Sequence, residues 1–413
     1  MLHTVPVQER RLDDYREDAG EAALERLREA AAPLAGARLL QVNSTAYGGG
    51  VAELLHSHVP LLADLGIEVT WGLFQGSEEF FAVTKAMHNA LQGADVAWTV
   101  EMEDLYWERV CANAEAFSDG FDFVLVHDPQ PLALLDVLED EGRREGKWVW
   151  RCHIDVSAPF APVWGFLEPA VNRYDAAIFT IPDFVRPGVR GPRVACIPPS
   201  IDPRSPKNAP LEPDAVRGLV AHYGVDPDRP LLVQVSRFDP WKDPFGVIDA
   251  FRAARERVPG LQLAMVGSLA DDDPEGRHYL EATRDHAAGD ADVHLLTNLD
   301  GVGDLEVNAF QRQATVVVQK SLREGFGLVV AEGMWKERPV VGGDVGGIRI
   351  QVEDGATGFL VDSVATCAER IVELLLDPGL AERMGKAGRE RVRERFLTLR
   401  ELEEQLRLLA SIA

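Results

Sequence analysis

The sequence has little lysine, little cysteine and no long apolar run, and each shortage excludes something. Only 7 of its 413 residues are Lys, against 35 Arg, and 67 acidic side chains against 42 basic ones leave a formal net charge of −25. That balance excludes a nucleic-acid-binding surface, which needs clustered cations, and disfavours docking on anionic lipid. No apolar stretch reaches the ~18 residues that would span a bilayer. The start, Met1 to Asp18, is polar and acidic, so it does not read as a signal or transit peptide. The four cysteines, at 111, 152, 196 and 367, are far apart and form no CxxC pair, so neither a zinc ribbon nor a thioredoxin-type site is written here. Their scarcity suits a reducing cytoplasm. Also missing are GxxxxGK[ST], HExxH and GxSxG. Gly48-Gly49-Gly50 follows a strand but lacks the GxGxxG spacing of dinucleotide oxidoreductases.

What is present points to two α/β halves. A hydrophobic content of 46% is ample for a large core, and the length fits two or three domains. An amphipathic helix is expected over residues 13–32. Short apolar runs suited to buried parallel strands follow at 38–42, 68–73, 123–126, 148–152, 176–180 and 194–197, with helical stretches such as 51–65 and 131–141 between them. Residues 197–213 hold six prolines and few apolar side chains, which marks a linker. The alternation restarts at 231–235, 262–266, 293–296, 315–319, 340–341 and 358–361, and helices end the chain. The expected domains are 1–205, 206–390 and a terminal helix in 391–413 packing across the boundary. Ligands of open α/β sheets bind at the carboxyl ends of strands, so two facing sheets would place the chemistry in the cleft between lobes.

Four clusters of residues carry candidate chemistry. Arg237 and Lys242 sit on the loop after the strand 231–235, where a bidentate fork and a point charge suit a diphosphate; the plain alternative is pairing with Asp239 and Asp243. Gly327, Leu328 and Val329 lie where a helix would begin, so their amides could cradle phosphate. Glu324 and Glu332 flank that cradle, and carboxylates accept from hydroxyls, which suggests a sugar on one side and a ribose on the other. Gly49 and Gly50, before the helix at 51, permit close backbone approach to a ligand. Finally, His127-Asp128 and His153-Ile154-Asp155 put a His and an Asp at two strand tips of the first half.

The order and separation of these segments resemble the retaining nucleotide-sugar glycosyltransferases of family 4. Their fold is GT-B: two facing Rossmann-like lobes of doubly wound parallel sheet with a cleft between them. Val126-His-Asp-Pro-Gln-Pro131, Arg151-Cys-His-Ile-Asp155, Ser236-Arg-Phe-Asp-Pro-Trp-Lys-Asp243 and Asp271-Asp-Asp-Pro-Glu-Gly276 are similar, more narrowly, to the trehalose glycosyltransferring synthases. The resemblance implies transfer of glucose from a nucleoside diphosphate glucose, UDP- or ADP-linked, to free glucose, giving α,α-trehalose with the donor anomer retained. It implies that Arg237, Lys242, Glu324 and His153 carry the chemistry. Donor binding would fall to Phe326, Gly327, Leu328, Val329, Glu332, Gly346 and Gly347, with Asn298 and Leu299 near the base. Gly49, Gly50, Asp128 and Asp155 would face the acceptor.

The partners so implied are small molecules: nucleoside diphosphate glucose as co-substrate, glucose and trehalose. No prosthetic group is expected. Asp271–Asp273 and Asp290-Ala-Asp292 superficially match a DxD metal motif, but no essential metal is expected, because Arg237 and Lys242 already fill the cation role. A homodimer is expected from the frequency of twofold assemblies. Another family 4 enzyme with a different acceptor or donor is the alternative, and a silent sugar-nucleotide sensor would have lost Arg237, Lys242 or Glu324. The direction of reaction stays open, as does the choice between same-face attack and a covalent intermediate.

Overall fold

The computed structural model describes residues 2–47, 49–269 and 274–413, the side chains of 274 and 275 aside. The chain forms two compact units, Met1–Ser200 with Thr398–Ala413, and Ile201–Leu397.

The first unit is built on a seven-stranded sheet: β1 (His3–Thr4), β2 (Arg38–Asn43), β3 (Glu68–Leu73), β4 (Phe123–His127), β5 (Lys147–Arg151), β6 (Ala176–Phe179) and β7 (Arg193–Cys196). Their order is β1-β3-β2-β4-β5-β6-β7. All neighbours are parallel except β1, which pairs antiparallel with β3. A two-residue strand shows no period, so β1 was not foreseeable. The central strand β4 is buried along its whole length, as expected where helices cover both faces. The helix expected over 13–32 is broken. Gly20, at φ +82°, ends a short helix, Arg16–Ala19, and a second, Glu21–Ala31, starts after it. Glycine adopts that backbone without the Cβ clash other residues meet.

The terminal helix, Thr398–Ala410, returns to this unit. Its Leu399, Leu402, Leu406 and Leu409 pack with Leu24 and Leu27 in one core. At ~1.5–3 kcal/mol for each fully buried leucine, these four hold the chain end firmly.

The second unit contains β8 (Leu231–Val235), β9 (Gln262–Gly267), β10 (Val293–Thr297), β11 (Val316–Gln319), β12 (Val340–Gly343) and β13 (Gly358–Val361). All pairs are parallel, in the order β10-β9-β8-β11-β12-β13. This is the doubly wound dinucleotide-binding order, in which the winding reverses between the first and fourth strands. Here that switch point lies between β8 and β11. In the first unit the equivalent reversal lies between β2 and β4. The expected strands all form, with ends shifted by no more than two residues. No helix of the described residues is long and apolar enough to cross a membrane.

The proline-rich segment has no helix or strand of its own between β7 and the helix Pro213–His222, yet it is well tethered to the second unit. Asn308 donates to the carbonyls of Pro206 (2.9 Å) and Ala209 (2.8 Å). Lys336 donates to Asn208 Oδ1 at 2.8 Å.

Candidate active site

In the second unit the candidate residues gather where strand ends meet the switch point. The loop after β8 carries Arg237 to Lys242, and the loop after β11 carries Lys320 to Gly327. Asp239 caps the 3-10 turn Pro240–Lys242, accepting the Lys242 amide at 3.1 Å. Leu322 N–H donates to Trp241 O at 2.7 Å and so ties one loop to the other. Across this junction Lys242 Nζ lies 2.7 Å from Glu324 Oε2, which also accepts from Ser321 Oγ at 3.0 Å. Both partners are largely buried.

Gly327 caps the helix Leu328–Trp335 with φ +83°. A Cβ there would meet Glu324 Cγ at 3.1 Å, so glycine satisfies both the backbone and the carboxylate beside it. The amides of Leu328 and Val329 open that helix and have no intrahelical partner by geometry. Gly347 N–H donates to Glu324 O at 3.2 Å. Gln351 Nε2 donates to Phe326 O (2.6 Å), with longer contacts to Gly327 O and Gly347 O, so the 324–327 and 346–347 segments are stitched together.

The remaining donor-side candidates stand apart. Arg237 is exposed, its guanidinium 3.3 Å from Asp239 Oδ2. Glu332 is fully buried: Oε2 accepts from Gln311 at 2.8 Å, while Oε1 is buried without a hydrogen-bond partner. An unpaired buried carboxylate oxygen is costly and fits a hydroxyl donor. Asn298 is occupied in structure, exchanging two hydrogen bonds with the backbone of Leu269, and Leu299 is 67% exposed beside it.

In the first unit, β4 and β5 bring their tips together. His153 N–H donates to Asp128 Oδ1 at 2.8 Å. Asp128 has φ +62°, a left-handed backbone that Asp tolerates better than most residues. Burial pushes its carboxyl up to about 7, against the pull of the His153 amide and Arg151. Asp155 is buried and accepts the Ser157 amide at 3.0 Å. Gly49 and Gly50 stand at the start of the helix Gly50–Asp64, with open space beside the Gly49 Cα. Gly48 and Asp271–Asp273 lie outside the described residues. Asp290 and Asp292 are ion-paired to Arg255 and Arg229. Among the described residues no group of three or more His, Cys, Asp or Glu could hold a metal ion.

Residues 41–186 match the family described as trehalose synthase, N-terminal domain, and residues 220–391 match glycosyl transferases group 1. The chain is 48% identical to the trehalose synthase of Rubrobacter xylanophilus over 416 aligned residues, covering 100% of this chain and 99% of that one. The chain belongs to the trehalose synthase family. It is an enzyme, a hexosyltransferase of the trehalose-forming kind. The family's Thermococcus litoralis member is 47% identical, with 97% of each chain covered. Two solved structures are alike in fold. One, described as trehalose-6-phosphate from E. coli bound with UDP-2-fluoro glucose, has TM-score 0.73 at 16% identity, covering 91% of this chain and 100% of that one. The other, sucrose-phosphate synthase of Thermosynechococcus elongatus, has TM-score 0.71 at 20% identity with the same coverage. The fold is GT-B, with two Rossmann-like units.

Beneath the β4–β5 tips this family member holds a buried polar cluster that the sequence did not announce. Arg151, on β5, pairs with Glu401 of the terminal helix, and both are at most 2% exposed. Ser200 Oγ also donates to Glu401, and His58 Nε2 lies 3.6 Å from it. Burial would raise the Glu401 carboxyl, but Arg151 and His58 hold it far below the usual carboxylate range. A signal was available: Glu401 and Gln405 fall on the same face as Leu402, Leu406 and Leu409, and a polar residue inside an apolar stripe needs a buried partner.

Proposed function

We propose that the protein is a retaining glucosyltransferase that joins glucose from ADP- or UDP-glucose to free glucose, giving α,α-trehalose, and that it can also run in reverse. The observation that carries this reading is the Lys242–Glu324 pair at the β8–β11 switch point. It sets a cation for phosphate beside an acceptor for hydroxyls. In this reading Arg237, Lys242 and the amides of Gly327, Leu328 and Val329 hold the diphosphate. Their preorganised charge stabilises the leaving group as its negative charge grows.

Glu324 holds hydroxyls of the donor glucose, Glu332 the ribose, and Asn298 and Leu299 lie by the base. Phe326, Gly346 and Gly347 supply close backbone approach to the donor sugar. His153 touches the transferring sugar, and Gly49, Gly50, Asp128 and Asp155 face the acceptor. In same-face attack, the bond from the anomeric carbon to the phosphate oxygen breaks with its electron pair going to phosphate. The acceptor oxygen bonds to that carbon from the same side, and its proton passes to the departing phosphate. The reaction needs no metal, because the cations already face the developing charge.

Purified protein supplied with UDP-, ADP- or GDP-glucose plus glucose tests the reading, with the product linkage read by NMR. A non-reducing α,α-disaccharide is expected. Product only with glucose 6-phosphate, or only from GDP-mannose, would move the protein to another acceptor or donor. No product from any pairing would sink the proposal.

A further inference from the structure

Three residues at the carboxyl edge of the first sheet form a hydrogen-bonded row. Gln41 on β2 is fully buried, His127 at the end of β4 is 3% exposed, and His153 is half-buried just beyond β5. The carbonyl oxygen of Gln41 lies 2.8 Å from His127 Nε2. His127 Nδ1 lies 2.9 Å from His153 Nε2, and the two ring planes are nearly parallel, with centroids 5.3 Å apart and 18° between planes. The other His153 contact runs from its amide to Asp128, and its Nδ1 has no hydrogen-bond partner among the described residues.

The direction of this row follows from its first member. An amide carbonyl only accepts, so the proton of His127 must sit on Nε2. A neutral imidazole has one ring proton, which leaves His127 Nδ1 able only to accept. His153 must then carry its proton on Nε2 and present a bare Nδ1. Neutrality of both rings has a physical cause. Burial pushes them well below the usual histidine range; for His127 the neighbouring His153, Arg151 and His58 add to this, and for His153 Arg151 and His58 do. Glu401 opposes in both cases. These are the charged groups that face the row, together with the Asp128 carboxyl beside it.

We propose that Gln41 and His127 are positioning residues that lock His153 in its Nε2–H tautomer, so that Nδ1 accepts a hydrogen bond from a hydroxyl of the bound sugar. The inference rests on His153 as a sugar contact. It adds that the site requires a hydroxyl donor at that point and that the requirement is set one and two residues back in the sheet. Turning the Gln41 amide over would reverse every proton in the row and make His153 Nδ1 a donor, so the two states are distinguishable.

Nitrogen-15 NMR of the full chain labelled at histidine separates protonated from bare ring nitrogens. In the wild type, His153 should show a protonated Nε2 and a bare Nδ1 at neutral pH. Gln41→Met keeps the volume but removes the acceptor. It should yield mixed tautomers at both histidines and lower turnover about tenfold with donor KM unchanged. A protonated Nδ1 on wild-type His153, or an unchanged tautomer in Gln41→Met, overturns the proposal. Addition of glucose with a nucleoside diphosphate should move the His153 Nδ1 resonance. If it stays fixed in an enzyme that makes trehalose, the proposal is overturned. If it moves in a protein that makes none, the proposal stands and the reaction assignment falls.

Discussion

Removing Glu401 should be among the most damaging single changes in the first unit, although this residue sits twelve positions before Ala413. Its carboxylate is fully buried and is paired with Arg151, itself 2% exposed, while Ser200 donates to it and His58 lies close by. In Glu401→Ala the guanidinium of Arg151 stays buried with no counter-charge. Breaking one side of a buried pair costs about 3–5 kcal/mol, because the remaining ion has lost its water and its partner. Unfolding free energies are about 5–15 kcal/mol, so a loss of this size takes a large share. With a urea dependence near 3 kcal/mol/M, the midpoint should fall by about 1–2 M. Most tryptophans, among them the buried Trp71, Trp148 and Trp150, lie in this unit, so fluorescence follows its unfolding. Glu401→Gln keeps an acceptor for Ser200 and should fall between the two. The pH dependence has a definite sign. Glu401 is held below its unfolded value, so its stabilisation is fully present above that value, about 4.3, and fades as pH falls through the folded one. The gap between wild type and Glu401→Ala should therefore narrow below pH 4. A midpoint shift under about 0.3 M at pH 7, or a gap that widens in acid, would refute the reasoning.

Lys242→Ala should lower turnover about 10²–10³-fold while far-UV circular dichroism is unchanged, since one donor to developing negative charge is lost. Gly347→Ala places a Cβ 2.4 Å from Phe326 Cα and 2.6 Å from Gly325 O, so it should cost about 1–3 kcal/mol in denaturant titration and raise donor KM. Asp128→Asn keeps the acceptor for His153 N–H and a residue type at ease with φ +62°. Because the folded carboxyl is raised to about 7 while the unfolded one titrates at ~3.9, wild type loses stability as pH rises between those values, and the loss is complete above about 7, so the variant should gain stability over wild type at pH 8 and little at pH 4 in thermal melts. Glu324→Gln frees Lys242 from its carboxylate, and calorimetry should show nucleoside diphosphate binding at least as tightly as in wild type while turnover falls.

Local pattern in the sequence carried most of the fold. Buried parallel strands such as 231–235 and 358–361 are short apolar runs with no competing periodicity, and they form where expected. Gly20 breaks the helix expected over 13–32, since the helical spacing of Leu24, Leu27 and Ala31 lies wholly after it and says nothing of the residues before. At the candidate site, Arg237, Lys242 and Glu324 were legible as loop residues beside strand ends, and the structure pairs Lys242 with Glu324 and Arg237 with Asp239. What the sequence could not show is pairing across distance. Glu401 reaches Arg151 over 250 residues, and Gln311 and Lys336 support Glu332 from other turns of helix. Nor could composition predict that the Gln41–His127–His153 row has a direction, since this depends on which end of an amide faces the ring.

The net charge of −25 leaves a difficulty, because the proposed donor is itself an anion. The second unit meets it with cations that are already compensated. Lys242 pairs with Glu324, Arg237 with Asp239, and Lys320 with Asp243, which also caps the following helix. The resting site therefore exerts little long-range pull, and screening beyond ~10 Å would remove much of what it has. Attraction must come instead from exchange at contact. A diphosphate accepts hydrogen bonds from Lys242 more readily than a single carboxylate does, having more oxygens and more charge. When it takes Lys242, Glu324 loses its cation and turns to the next available donors, which in the proposed complex are hydroxyls of the sugar. In the proposed complex, phosphate binding and sugar binding are thus coupled through the 2.7 Å Lys242–Glu324 contact. A site coupled in this way would favour phosphate joined to a sugar over phosphate alone, the discrimination that the proposed nucleotide-sugar reaction needs amid free nucleotides.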